Sequence, residues 1–179
     1  KDTHLGILKK YNIDKLNLIF SLKKNDLRFN DIILSLNDSI FSSDKIHIKD
    51  LKNKFLVEGD FRNKKYYLNN QFLELFTKSF TQKLNVEKIK FSSKNIFSFK
   101  FNKKFQFEDF NIISNIEIDE LLIHKDYKLK TIFPNIKEKF KLTNQKLEIK
   151  YKKNNLSIIG EGNILVQNEN DYIKYELNK

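Results

Sequence analysis

Apolar residues recur at every second position along most of this chain. Leu16, Leu18, Phe20 and Leu22 alternate with Asn17, Ser21 and Lys23, with Ile19 breaking the pattern. Leu27 and Phe29 begin a second run, and Ile32, Leu34 and Leu36 continue it on a shifted register. The slip at Asn30-Asp31 predicts a β-bulge or short bend, because a one-residue shift moves every later side chain to the other face. Ile46 and Ile48 alternate with His47 and Lys49, and Phe55, Val57 and Phe61 with Glu58 and Asp60. The same period runs through Phe97, Phe99 and Phe101, through Tyr127 and Leu129, and through Leu147, Ile149 and Tyr151. A period of two over four to eight residues predicts strands with one apolar and one wet face.

The links between these runs are short and polar: Lys23 to Asp26, Lys52 to Lys54, Asn102 to Lys104, and Lys152 to Asn155. Asn and Asp tolerate the left-handed backbone and cap their own turns, so these links predict hairpins. Successive strands joined this way make an antiparallel meander, not a βαβ fold. From 69 to 84 the period changes. Phe72, Phe76, Phe80 and Leu84 recur every four residues, which predicts one amphipathic helix with Asn69 or Asn70 as its cap, plugging an open end of the sheet core or covering one of its faces, with docking to a membrane or partner as the alternative. A hairpin motif also repeats. Ile46–Phe61 aligns without a gap on Leu147–Gly162, matching Ile48 with Ile149, Lys52 with Lys153, Asn53 with Asn154 and Gly59 with Gly160. The whole chain, 1–179, reads as one β-rich segment of stacked units.

Composition narrows the chemistry. The 179 residues carry a net charge of +11 and no cysteine, which removes disulfides, thiolate catalysis and Cys-built metal sites. The basic residues are lysines apart from Arg28 and Arg62. Phosphate readers favour the forked guanidinium of Arg, and lysine here forms no long block, so nucleic acid is the disfavoured partner. The histidines His4, His47 and His124 lack metal-ligand spacing, and His47 is expected on the wet face of its strand. The carboxylate pairs Glu58/Asp60, Glu108/Asp109 and Asp119/Glu120 are expected to stay solvated, whereas acid–base work needs one carboxyl desolvated. With no nucleophile elbow, P-loop or dinucleotide fingerprint, the expectation is a protein with no enzymatic activity and no cofactor. The first twelve residues lack the apolar core of a signal peptide, and no run approaches the ~18 apolar residues of a spanning helix. With Lys at position 1 and no Met anywhere, the chain is expected to be an interior piece of a longer, bacterial-type protein.

Three stretches carry a family resemblance: F-N-D-I-I-L-S-L at Phe29–Leu36, I-H-I-K-D-L-K-N-K-F-L-V-E-G-D-F at Ile46–Phe61, and L-S-I-I-G-E-G-N-I at Leu156–Ile164. Amphipathic strands, a polar turn and a late glycine in this order resemble the AsmA-like superfamily of bridge-like lipid transport proteins, including the YhdP and TamB groups. The tail, Leu147–Leu177, is also similar to the β-units of lipopolysaccharide-transport proteins. The resemblance implies a mostly β fold: a meander curled into an elongated, half-open, taco-like sheet. It further implies a parent anchored in the inner membrane by parts outside this segment, and a periplasmic module for lipid transport and envelope maintenance. Its apolar trough would shield the acyl chains of a phospholipid or similar lipid. The inward side chains expected to line it are Leu34, Leu36, Ile46, Ile48, Phe55, Val57, Phe97, Phe99, Phe101, Phe105, Phe107, Leu147, Ile149, Leu156 and Ile158. Two other readings stand beside it: a structural or interaction segment of a repetitive β-protein with a filled core, and a nucleic-acid module using Lys and Phe. An acyl groove and a filled core demand the same inward apolar side chains.

Overall fold

The computed structural model describes residues 13–36, 39–68, 85–124, 139–166 and 169–179. They form nine strands in one sheet: β1 (Ile13–Lys23), β2 (Asp26–Leu36), β3 (Ser39–Asp50), β4 (Lys54–Leu68), β5 (Asn85–Asn102), β6 (Phe107–His124), β7 (Lys139–Lys152), β8 (Asn155–Val166) and β9 (Glu169–Asn178). Their order in the sheet is their order in the chain, and every pairing is antiparallel. The backbone of each strand runs alongside only its sequence neighbours, so β1 and β9 do not meet and the sheet is open. The described residues contain no helix. The helix expected at 69–84 and the strand expected at Tyr127–Leu129 fall outside the described residues.

Local chemistry accounts for the turns. Lys153 and Asn154 both take positive φ (50° and 66°), a pair whose twist matches that of the flanking strands, and the Tyr151 hydroxyl donates to Asn154 Oδ1 at 3.0 Å. Lys52 sits at φ 74°, with its N–H held by Asp50 Oδ1 at 2.7 Å. At the β5–β6 turn, Asn102 Oδ1 accepts from the N–H groups of Lys104 (2.8 Å) and Gln106 (3.1 Å), while Phe105 takes φ 57°.

Bulges keep the two faces distinct where the sequence slips register. Asn17 pairs with Ile33 but Ile19 with Asn30, so Asp31 and Ile32 together oppose Leu18, and Asp31 adopts φ 51°. Asp109 does the same on β6 (φ 51°), and Asn144 on β7 (φ 52°). Short Asx side chains occupy these left-handed positions at low cost. The result is that Phe29 and Leu34, five residues apart, point the same way, as do Phe107 and Ile112.

Cross-strand partners share a face, so the register traces that face across all nine strands. One row runs Leu16, Leu34, Phe41, Asn63, Ser93, Ile116, Leu147, Gly160 and Tyr175. Another runs Phe20, Phe29, Ile46, Gly59, Phe97, Ile112, Tyr151 and Leu156. The repeated hairpin is real in three dimensions. Ile46 pairs with Gly59 and Ile48 with Val57 in β3–β4, while Leu147 pairs with Gly160 and Ile149 with Ile158 in β7–β8. Gly160 makes room for an aromatic: a Cβ there would lie 2.3 Å from Cε2 of the Tyr175 ring. Gly160→Ala is therefore expected to cost about 1–3 kcal/mol by overpacking. Urea unfolding monitored by circular dichroism checks this, and an unchanged midpoint would show that Tyr175 swings aside freely.

Candidate functional site

The apolar face is the candidate site. Of the fifteen side chains expected to line it, Leu34, Ile46, Ile48, Phe55, Val57, Phe97, Phe99, Phe101, Phe107, Leu147, Ile149, Leu156 and Ile158 lie on this one face of the sheet by register. Leu36 pairs through its backbone with Ile13 and Ser39, and its side chain is not described. Phe105 differs from expectation: it lies in the β5–β6 turn, not in a strand, because Asn102 closes the hairpin there. Its ring still reaches the face, stacking on Phe101 at 5.8 Å with planes 6° apart.

An aromatic cluster dominates the centre. Phe55 stacks on Phe101 at 5.0 Å, and Phe99 meets Phe107 edge-on at 5.5 Å and Phe97 at 6.0 Å. The bulge at Asp109 turns Phe110 onto the same face, 6.2 Å from Phe99 and 6.0 Å from Tyr151. Further out, Phe41 stacks on Phe61 at 5.3 Å. Among the described residues no second layer covers this surface. Only Phe41, Val57 and Ile118 among them are buried hydrophobics, and the described backbones approach one another only between neighbouring strands. Most rings and aliphatic chains on the face are half-exposed. Each forgoes roughly 1 kcal/mol or more of the transfer free energy that full burial gives.

A polar seam crosses the face. Ser93 Oγ donates to Asn63 Oδ1, Asn63 Nδ2 donates to the Phe91 carbonyl at 3.2 Å, and Asn95 Nδ2 donates to the Phe61 carbonyl at 3.0 Å and to Ser93 Oγ at 2.8 Å. Farther along, Gln145 is the most buried large side chain. Its Nε2 donates to the carbonyls of Asn163 (2.8 Å) and Thr143 (3.2 Å) across the β7–β8 bulge, and its Oε1 accepts from the Tyr175 hydroxyl at 3.2 Å. Burial raises the pKa of that hydroxyl. Gly162 leaves space for the amide, since a Cβ there would sit 2.3 Å from Nε2. Sequence reading missed this seam, because Asn, Gln and Ser within an alternating run count toward the wet face. It placed Phe20, Phe29 and Phe61 in apolar runs without counting them among the lining residues, and it missed Phe41, Ile112, Ile116 and Ile118. For the last three, the alternation N-I-I-S-N-I-E-I already carries the signal.

The opposite face is charged. His47 lies on it, 3.5 Å from Asp26 Oδ1. Glu58 and Asp60 lie there too, and Asp60 accepts from the N–H groups of Asp44 (3.1 Å) and Lys45 (3.0 Å), tying down the β3 bulge. Glu108 pairs with Lys54, and Glu120 lies 3.4 Å from Lys141. No group of three His, Cys, Asp or Glu that could hold a metal exists among the described residues. Among the described residues there is no helix long and apolar enough to cross a membrane. Compared with known proteins, the chain matches no family model, no curated sequence and no solved structure.

Asp109 gives a pH test of the bulged hairpin. A hydrogen bond from Lys100 (2.8 Å) and its positive charge hold the Asp109 carboxyl below the ordinary carboxylate range. A depressed folded-state pKa means that this contribution is complete above the unfolded value and is lost as pH falls through the lowered one. In Lys100→Gln the Asp109 carboxyl is expected to titrate at higher pH, as followed by carbon-detected NMR. An unmoved titration would show that the pair does not form in solution.

Proposed function

We propose that this sheet is a lipid-handling module: its apolar face shelters the acyl chains of a phospholipid or related lipid while headgroups stay in water. The observation that carries this reading is an apolar surface continuous over nine strands, with no layer covering it among the described residues. Moving a lipid tail through water costs ~0.8 kcal/mol per exposed CH₂, so a continuous apolar strip lowers a large barrier without a chemical step. The open, single-layer meander supports a half-open trough, since a closed core would use the same side chains up internally. In keeping with the AsmA-like resemblance, we place the module in the periplasm, in a parent anchored in the inner membrane and serving envelope maintenance.

Photo-crosslinkers at Phe99 and Ile149 are expected to capture lipid in cells, identified by mass spectrometry, while the same probe at Lys100 on the opposite face captures none. Equal labelling at all three positions, or no lipid at any, removes this reading. Crosslinks from Phe99 and Ile149 to protein alone would favour the filled-core interaction segment instead.

A further inference from the structure

Alternate turns of an antiparallel meander fall on the same edge. The β1–β2, β3–β4, β5–β6 and β7–β8 turns therefore share one rim of this sheet. Every one of them is tipped with lysine. Lys24, Lys52, Lys103, Lys104, Lys152 and Lys153 are all exposed, and none makes an ion pair among the described residues. The acids at this rim are fewer and mostly engaged: Asp26 by Arg28 and His47, Asp50 by the Lys52 N–H, Glu108 by Lys54 and Asp109 by Lys100 at 2.8 Å. The rim is thus left strongly positive.

The same tips expose large apolar side chains. Phe105 is 74% and Phe107 67% exposed, and Leu22 and Leu51 stand open beside the lysines of the first two turns. The β5–β6 hairpin also projects. Pairing of β6 with β7 ends at Asn111 with Lys152, so Phe107 to Phe110 extend past the β7–β8 turn. The step leaves a notch of about 760 Å³, whose wall includes Phe107, Phe110 and Tyr151, the lysines Lys152 and Lys153, and the ion-paired Glu108 and Asp109.

Exposed lysines alone are ordinary. Lysines interleaved with exposed aromatic and aliphatic side chains along one line suit the boundary between headgroups and acyl chains, where each kind of side chain finds its own partner. A nucleic acid would satisfy the lysines and could stack on Phe105, but it offers nothing to Leu22 and Leu51, whereas hydrocarbon rewards all of them.

We propose that this rim docks on the surface of an anionic phospholipid bilayer, with its lysines at the phosphates and Phe105, Phe107 and Leu51 entering the boundary layer. The proposal goes beyond the acyl-chain reading of the apolar face and does not depend on it.

The test titrates the 179-residue chain with phosphatidylcholine vesicles containing or lacking phosphatidylglycerol. Binding is expected only with the anionic lipid, and it weakens as salt rises. Lys103→Glu with Lys104→Glu is expected to lower the partition coefficient by roughly 10-fold or more. Phe105→Ala, which removes no charge, is expected to lower it several-fold at every salt concentration. A charge-matched control on the polar face, Lys94→Glu with Lys146→Glu, leaves it unchanged. Should the glutamate pair alter the circular dichroism spectrum, Lys52→Gln with Lys104→Gln takes its place with the same expected direction. Equal binding to vesicles without phosphatidylglycerol, equal loss in the polar-face control, or tighter binding to an oligonucleotide than to anionic vesicles overturns the proposal. Lipid capture at Phe99 is scored separately in the rim variants, so loss of docking and loss of tail shelter remain distinguishable.

Discussion

The backbone ladder between strands that follow one another in sequence is the interaction on which the described sheet rests, and everything else must be compatible with it. A ladder fixes side-chain parity: once two strands are in register, each residue's face is decided by its partner. With no second layer among the described residues to correct an error, a single slip would send a whole strand's apolar residues into the charged face. The left-handed Asp31, Asp109 and Asn144 are where the chain absorbs such slips. They insert one residue and restore parity, so that Phe29 and Leu34, or Phe107 and Ile112, meet the same surface. Small polar side chains at these points are as necessary to the apolar face as the phenylalanines that form it.

A sheet built in this way is stabilised unlike a layered domain. Six of its eight strand connections span only two to four residues, so those ladders repay little loop entropy, but its apolar side chains cover one another only laterally. The aromatic cluster around Phe99 and Phe101 shows the limit of that cover: the rings touch edge and face, yet remain half-open to whatever lies above. Such a surface is a poor core and a good berth. The Asn63–Ser93–Asn95 seam and the Gln145 bridge tie adjacent strands together across it with hydrogen bonds. A sheltered polar bond is insensitive to whether the rings beside it are covered by a guest or by water, so the seam can hold the strands in place in either condition.

The two edges of the sheet differ in the same spirit. β9 presents Glu169, Asp171, Lys174 and Glu176, charges that discourage further strand pairing, whereas β1 exposes Leu16, Ile19, Phe20 and Leu22. Among the described residues, β9 is thus the more charged of the two and β1 the more apolar.

Local alternation in the sequence determined the strands, their polar turns, the bulge at Asp31 and the membership of Phe97, Phe99, Phe101, Ile149 and Ile158 in one face. It could do so because face assignment in a strand depends only on parity and on nearest neighbours. Three features depended on tertiary structure. The placement of Phe105 in a turn followed from Asn102 closing the hairpin, a choice that alternation cannot weigh. The polar seam followed from register, which pairs Asn63 with Ser93 across thirty positions of sequence. The basic rim followed from topology: lysines that look evenly scattered along the chain recur once per hairpin, and a meander folds every second turn onto the same edge. Charge density is a property of neighbours in space, and only the folded sheet makes Lys52, Lys104 and Lys153 neighbours.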